Sequence, residues 1–200
     1  MTPDVVVVPS APVLLPVHAG LEDPVGPLRS ACADAVGWLV ARHPDLLRVV
    51  TVAARPDNVA RGVTEPTGVR VARHLLDHAG FAGRAEVRLV PDGQAPVASP
   101  GPGGLLVVAN GSAARGEKAP GHLDPRAAGF DETIGAALRG GDPTALRDLD
   151  LELATALWAY DAPALRTLGS LAGGDGGVVD VDVGYDGDPY GVQYWVVRWS

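Results

Sequence analysis

Apolar positions along the chain fall into short unbroken runs and longer periodic stretches, and their order predicts the architecture. Val5 to Val8 is four consecutive valines, residues 105–108 read Leu-Leu-Val-Val, and residues 47–53 are broken only by Arg48 and Thr51. Runs of this length without polar alternation match strands covered on both faces. Residues 86–90 alternate polar and apolar side chains, as an edge strand does. Residues 178–183 alternate valine with aspartate, and residues 192–199 are β-branched and aromatic. The turn Asp186-Gly187-Asp188-Pro189 between these two is too tight for a parallel crossover, so they are expected to pair antiparallel.

Helical periodicity fills the intervals. At about 100° per residue, Leu28, Ala31, Cys32, Ala35, Val36, Trp38 and Leu39 share one arc of a helix expected over residues 28–41. A second helix is expected over residues 68–79, with Gly80 as its stop. Two more are expected over 125–139 and 144–171, the latter broken near Asp161-Ala162-Pro163 because proline cannot continue the hydrogen-bond ladder. Residues 91–104 are rich in proline and glycine and read as a surface connection. Strands alternating with helices predict one α/β domain over residues 1–200: a three-layer α/β/α sandwich with a mostly parallel, mixed central sheet. The three apolar strands should be its central neighbours. Ligands in such folds sit outside the carboxyl ends of the strands, which singles out the loops at 9–12, 54–58 and 110–116.

Composition narrows this picture. Hydrophobic residues make up 46% and charged residues 20% of the 200, a balance that supports one folded core. The formal net charge is −8, and no stretch gathers Lys and Arg, so nucleic acid is not an expected partner. Cys32 is the one cysteine, which leaves no intrachain disulfide to form and favours a reducing cytoplasm. The opening valine run lacks the flanks of a signal peptide, and no apolar stretch is long enough to span a bilayer, so no membrane association is expected. A small-molecule ligand and a homo-oligomer both remain open.

Several constellations read more simply as structure than as chemistry. His74 and His78 share a helix face at i, i+4, but the apolar arc of Val69, Ala72, Leu75, Leu76 and Ala79 lies roughly opposite and turns them to water. Ser112 after Gly111 lacks the second glycine of a nucleophile elbow. Gly101, Gly103 and Gly104 precede a strand, where a phosphate-binding loop would follow one. Asp148, Asp150 and Glu152, and likewise Asp180 and Asp182, alternate with apolar residues and read as solvated faces. Tyr190, Tyr194, Trp195 and Trp199 read as packing residues.

Three segments near the strand ends carry a family resemblance. Val8-Pro9-Ser10-Ala11-Pro12-Val13-Leu14-Leu15-Pro16 resembles the opening Pro-His-Pro-Pro-Leu-Leu strand and loop of the catalytic subunits of class III extradiol ring-cleavage dioxygenases. Asn110-Gly111-Ser112-Ala113-Ala114-Arg115, with Phe130-Asp131 beyond it, is similar to that family's Gly-Asp-x-Ser-His loop and later Phe-Asp. Pro189-Tyr190-Gly191-Val192 leads into the last strand as in the family. The resemblance implies a phosphorylase/hydrolase-like α/β/α fold. It also implies a ferrous ion held by two histidines and a carboxylate, with a further histidine as acid/base.

Here the residues depart from that pattern. Ser10 stands where the resemblance puts the first ligand histidine, and Ala113 where it puts the acid/base. The loop Ala54-Arg55-Pro56-Asp57, expected to supply the other ligand histidine, has none, and Glu152 lies in the region of the glutamate ligand. The leading expectation is therefore a metal-free relative that needs no cofactor and keeps a strand-end cleft for a small anionic ligand or a partner. Its candidate binding residues are Ser10, Arg55, Asn110, Ser112, Arg115 and His122. The alternatives are an Fe(II) dioxygenase with a metal site rearranged onto His18, His122 and Glu117 or Asp124, and a structural or interaction protein.

Overall fold

In the computed structural model, the protein is described over residues 3–16, 25–91, 103–172 and 180–200. Six strands form one sheet: β1 (Val5–Val8), β2 (Leu46–Val52), β3 (Arg84–Val90), β4 (Gly104–Val108), β5 (Val181–Gly187) and β6 (Tyr194–Trp199), in the order β3-β2-β4-β1-β6-β5. The first four run parallel, while β6 is antiparallel to β1 and to β5. The three apolar strands are central neighbours, the alternating strand β3 is an edge, and the last two strands pair antiparallel, each as its pattern predicts.

Helices cover both faces, and the side chains of each central strand divide between them. Val6, Val8, Leu47, Val49, Leu106 and Val108 pack under α1 (Gly26–Arg42) and α3 (Thr67–His78). Val5, Val7, Val50, Leu105 and Val107 pack on the other side, under α4 (Ala127–Gly140) and α7 (Ala162–Ala172). Period-two alternation with both faces apolar thus explains why these strands show no polar positions. Trp195 and Trp199 are buried in the second layer, where Trp199 Nε1 donates to the Leu138 carbonyl at 2.8 Å.

Three details differ from the sequence expectation. The loop after β2 contains a short helix, α2 (Pro56–Ala60), and Pro12–Leu14 forms a 3-10 turn. Residues 144–171 carry two breaks where one was expected, giving α5 (Pro143–Arg147), α6 (Leu151–Ala156) and α7. The additional break falls at Asp150, whose carboxylate accepts from the N–H groups of Glu152 and Leu153 at 2.9 and 3.0 Å and so starts a new helix. An acid read as part of a solvated face is therefore a helix cap. The expected strand start at residues 178 and 179, and most of the connection at 91–104, lie outside the described residues.

The chain switches faces at β4. After β1 and β2 it enters α1 and α3 on one face, whereas after β4 it enters α4 on the other. Loops that leave neighbouring strands for opposite faces open a crevice between them, the usual ligand position in such sheets.

Candidate functional site

A cavity of about 410 Å³ occupies that crevice at the carboxyl ends of β1, β2 and β4, within the range of small-molecule sites. Its most buried polar cluster is made by Ser10, Asn110 and Asp161. The Ser10 N–H donates to Asn110 Oδ1 at 2.9 Å. The Asn110 N–H donates to Asp161 Oδ2 at 3.0 Å, and the Ser10 hydroxyl donates to the same oxygen. Two loops far apart in sequence are thereby locked to one carboxyl group. Burial pushes the Asp161 pKa up, against the lowering effect of the Ser10 and Asn110 hydrogen bonds. Among the described residues its other oxygen, Oδ1, has no hydrogen-bond partner, and Asp161 lines the cavity.

The walls are aromatic. Trp158, Tyr160, Tyr190 and Tyr194 all line the cavity. Burial, with smaller effects from Tyr190 and Tyr185, pushes the Tyr194 hydroxyl up to about 12, so it stays protonated. Trp158 and His122, both with φ 57°, are the two non-glycine residues with left-handed backbone among the described residues, a conformation that is held only when its surroundings enforce it. At Trp158 the chain reverses between α6 and α7, and the adjoining Leu157 carbonyl accepts from the Ala113 N–H at 3.1 Å.

Arg55 precedes α2 and also lines the cavity. Its guanidinium lies over the Tyr160 ring, 3.6 Å from the centroid, and its nearest carboxylate is Asp57 at 3.8 Å. Stacking on an aromatic face holds a guanidinium in place while leaving its N–H fork for a ligand.

The loop behind the cleft is held by a second buried acid. Asp131, on α4, accepts from the Ser112 N–H at 2.8 Å and the Ser112 hydroxyl at 2.5 Å. Burial raises its pKa, opposed chiefly by those two bonds. Gly111 cannot carry a side chain, since a Cβ would come within 2.6–2.8 Å of Trp195, Asp131 and Gln193. Such anchoring fixes the position of Asn110 at the cavity.

The sequence-derived candidates therefore separate. Ser10, Arg55 and Asn110 converge on the cleft, joined by Ala113. Ser112 does not, because its hydroxyl is buried and spent on Asp131. Arg115 lies outside as well: its Nε donates to Asp188 at 3.0 Å and ties the loop to the turn after β5. His122 and Glu117 are exposed and do not line the cavity, Asp124 is paired with Arg126 at 2.7 Å, and Glu152 is exposed on α6. His18 lies outside the described residues. Among the lining residues that sequence reasoning did not reach are Trp158, Tyr160, Asp161 and Glu65; an acid just before a helix reads as a cap, and nothing local marks Asp161 as the partner of Ser10.

A ferrous facial triad calls for two imidazoles and a carboxylate on one face of the metal. The described lining residues offer hydroxyls, amides, Asp161 and Glu65, the latter paired with Arg73 at 2.5 Å. That donor set does not fit the triad.

Fold and site together define a three-layer α/β/α domain with a ligand-sized cleft at its strand ends. No family model matches the chain, and no curated protein does. Among solved structures, it is similar to the uncharacterised protein JW3007 of Escherichia coli K12, with 14% identity, a TM-score of 0.43, and 98% of this chain and 99% of that one covered. None of the described helices is long and apolar enough to cross a membrane.

Proposed function

We propose that this chain is a metal-free, non-catalytic relative of the class III extradiol dioxygenases whose strand-end cleft binds a small anionic molecule. The observation that carries the reading is the Arg55 guanidinium, set on the Tyr160 ring at the cleft with its nearest carboxylate 3.8 Å away. A pre-oriented fork of N–H donors suits a carboxylate or phosphate. The Asn110 side-chain NH2 group and the tyrosine walls supply further polar and stacking contacts for a flat ligand.

Two residues support the loss of the family's chemistry. Ser10, at the position resembling a ligand histidine, spends its hydroxyl on Asp161. Ala113, at the position resembling the acid/base, has no group that can move a proton, a contribution typically worth about 10²–10⁴ in rate.

Thermal-shift screening against aromatic acids, sugar phosphates and nucleotides tests the reading. At least one anion is expected to raise the melting temperature of the parent protein and to lose most of that effect in Arg55→Ala. Equal stabilisation of both proteins, or none by any anion, would remove Arg55 and the anionic ligand from the proposal. The same preparation loaded anaerobically with ferrous iron serves the competing reading. Stoichiometric iron with ring-opened product from protocatechuate, gallate or catechol, abolished by mutating His18 or His122, would establish a rearranged dioxygenase site instead.

A further inference from the structure

The strand β3 forms one edge of the sheet, and it is regular over all seven residues. On its inner side, the Arg84 N–H donates to the Asp45 carbonyl at 2.8 Å, and the Val90 carbonyl accepts from the Ala53 N–H at 3.0 Å. Strand geometry then directs the backbone groups of 84, 86, 88 and 90 toward β2 and those of Ala85, Val87 and Leu89 outward. The outward groups have no partner among the described residues. The side chains of Val87 and Leu89 are 48% and 44% exposed, and the register of Val87 beside Val49 places them on the face that carries α1 and α3.

An open, regular edge with exposed apolar side chains is a template for another strand. The opposite edge is guarded. β5 has a register shift between Val183 and Tyr185, and bulges of this kind interrupt edge pairing. Its acids Asp182 and Asp186 are held by Arg198 and Arg139 at 2.6 and 2.7 Å, so the bulge is what closes this edge to pairing.

We propose that β3 pairs antiparallel with β3 of a second copy of this chain, about a two-fold axis through Val87. The sequence of the strand selects this register. With Val87 opposite its own symmetry mate, Glu86, which also pairs with Arg84 of its own strand at 2.6 Å, faces the mate's Arg88 and Arg88 faces its Glu86, while Ala85 and Leu89 face each other on the apolar side. Shifting the axis to Glu86 sets Glu86 against itself and Arg84 against Arg88; shifting it to Arg88 sets Arg88 against itself. Like charges directly opposite are destabilising, so the Val87-centred register is the favoured one. It also makes closely spaced hydrogen-bonded pairs of all three outward residues. The product is a closed, two-fold pair, since each copy uses the same patch and the other edge is blocked. Its sheet runs continuously through both copies.

The test uses the full chain. Sedimentation across a concentration series is expected to show a monomer–dimer equilibrium, weakened about tenfold or more in Val87→Pro by the loss of two central hydrogen bonds. Because the Val87 N–H points away from β2, proline there leaves the internal ladder intact, and a melting temperature equal to the parent's at concentrations where both are monomeric checks this. Glu86→Arg and Arg88→Glu each place like charges across the axis and are expected to be monomeric alone, yet to form a heterodimer when mixed. In the parent protein, amide exchange at Val87 and Leu89 should slow as concentration rises, a readout that does not depend on any variant folding. A monomer at every concentration, a dimer indifferent to Val87→Pro, or single-charge variants that self-associate as the parent does would each overturn the proposal.

Discussion

Asp161 is the residue on which the cleft turns. Burial raises its pKa, with Ser10 and Asn110 pulling the other way. The folded protein therefore keeps the Asp161 proton to a higher pH than the unfolded chain, whose aspartates titrate near 3.9. Stability falls as pH climbs from that value through the raised folded one, and the loss persists above it. Asp161→Asn removes the titration and keeps one carbonyl oxygen for both donors, because Ser10 and Asn110 address the same Oδ2. The variant is expected to melt higher than the parent at pH 8, with the gap shrinking toward pH 4. A gap that does not change with pH would contradict this account. Part of the site was legible beforehand. Ser10, Arg55 and Asn110 follow apolar strands, and strand ends are where ligands sit. The rest was hidden: Trp158, Tyr160 and Asp161 come from a reversal between helices, and their meeting with Ser10 depends on how two layers dock, which local pattern does not encode.

Among the elements, the central strands were readable because burial on both faces leaves unbroken apolar runs at β1 and β4. The segment after α4 was less so. Leucines and acids alternating over residues 148–153 satisfy a helical wheel as well as a cap followed by a new helix, and only the Asp150 bonds decide between them. The helices on either side of α6, α5 and α7, pack closely. A Cβ on Gly169 in α7 would lie 2.4 Å from the Arg147 backbone nitrogen and 2.5 Å from the Pro143 carbonyl oxygen, both belonging to α5. Backbone atoms of a capped helix cannot give by the ångström required. Gly169→Ala is expected to cost about 1–3 kcal/mol through overpacking, outweighing the ~1 kcal/mol that alanine gains over glycine in a helix. Urea denaturation measures it, and a neutral or stabilised variant would mean that α5 moves freely against α7.

At the scale of the whole molecule, the two apolar layers lie on opposite sides of one sheet and share its strands, and the expected outcome is that they open together. Cys32 reports on this. It is fully buried on α1 in the first layer, and burial, opposed by Arg29, pushes its thiol up to about 12. A buried, protonated thiol is inert to disulfide reagents. Labelling of Cys32 is expected to track global unfolding, with the same denaturant midpoint as circular dichroism; fast labelling in native buffer would show that α1 opens independently. The pairing of β1 adds a consequence in time. Val5 lies opposite Leu105 on one side and Trp199 on the other. At a synthesis rate of about 5–20 residues per second, β1 emerges roughly 10–40 s before the strand that completes it. Through that interval a run of four valines waits at the ribosome with an open flank, an exposure of the kind that leaves a nascent chain prone to aggregate.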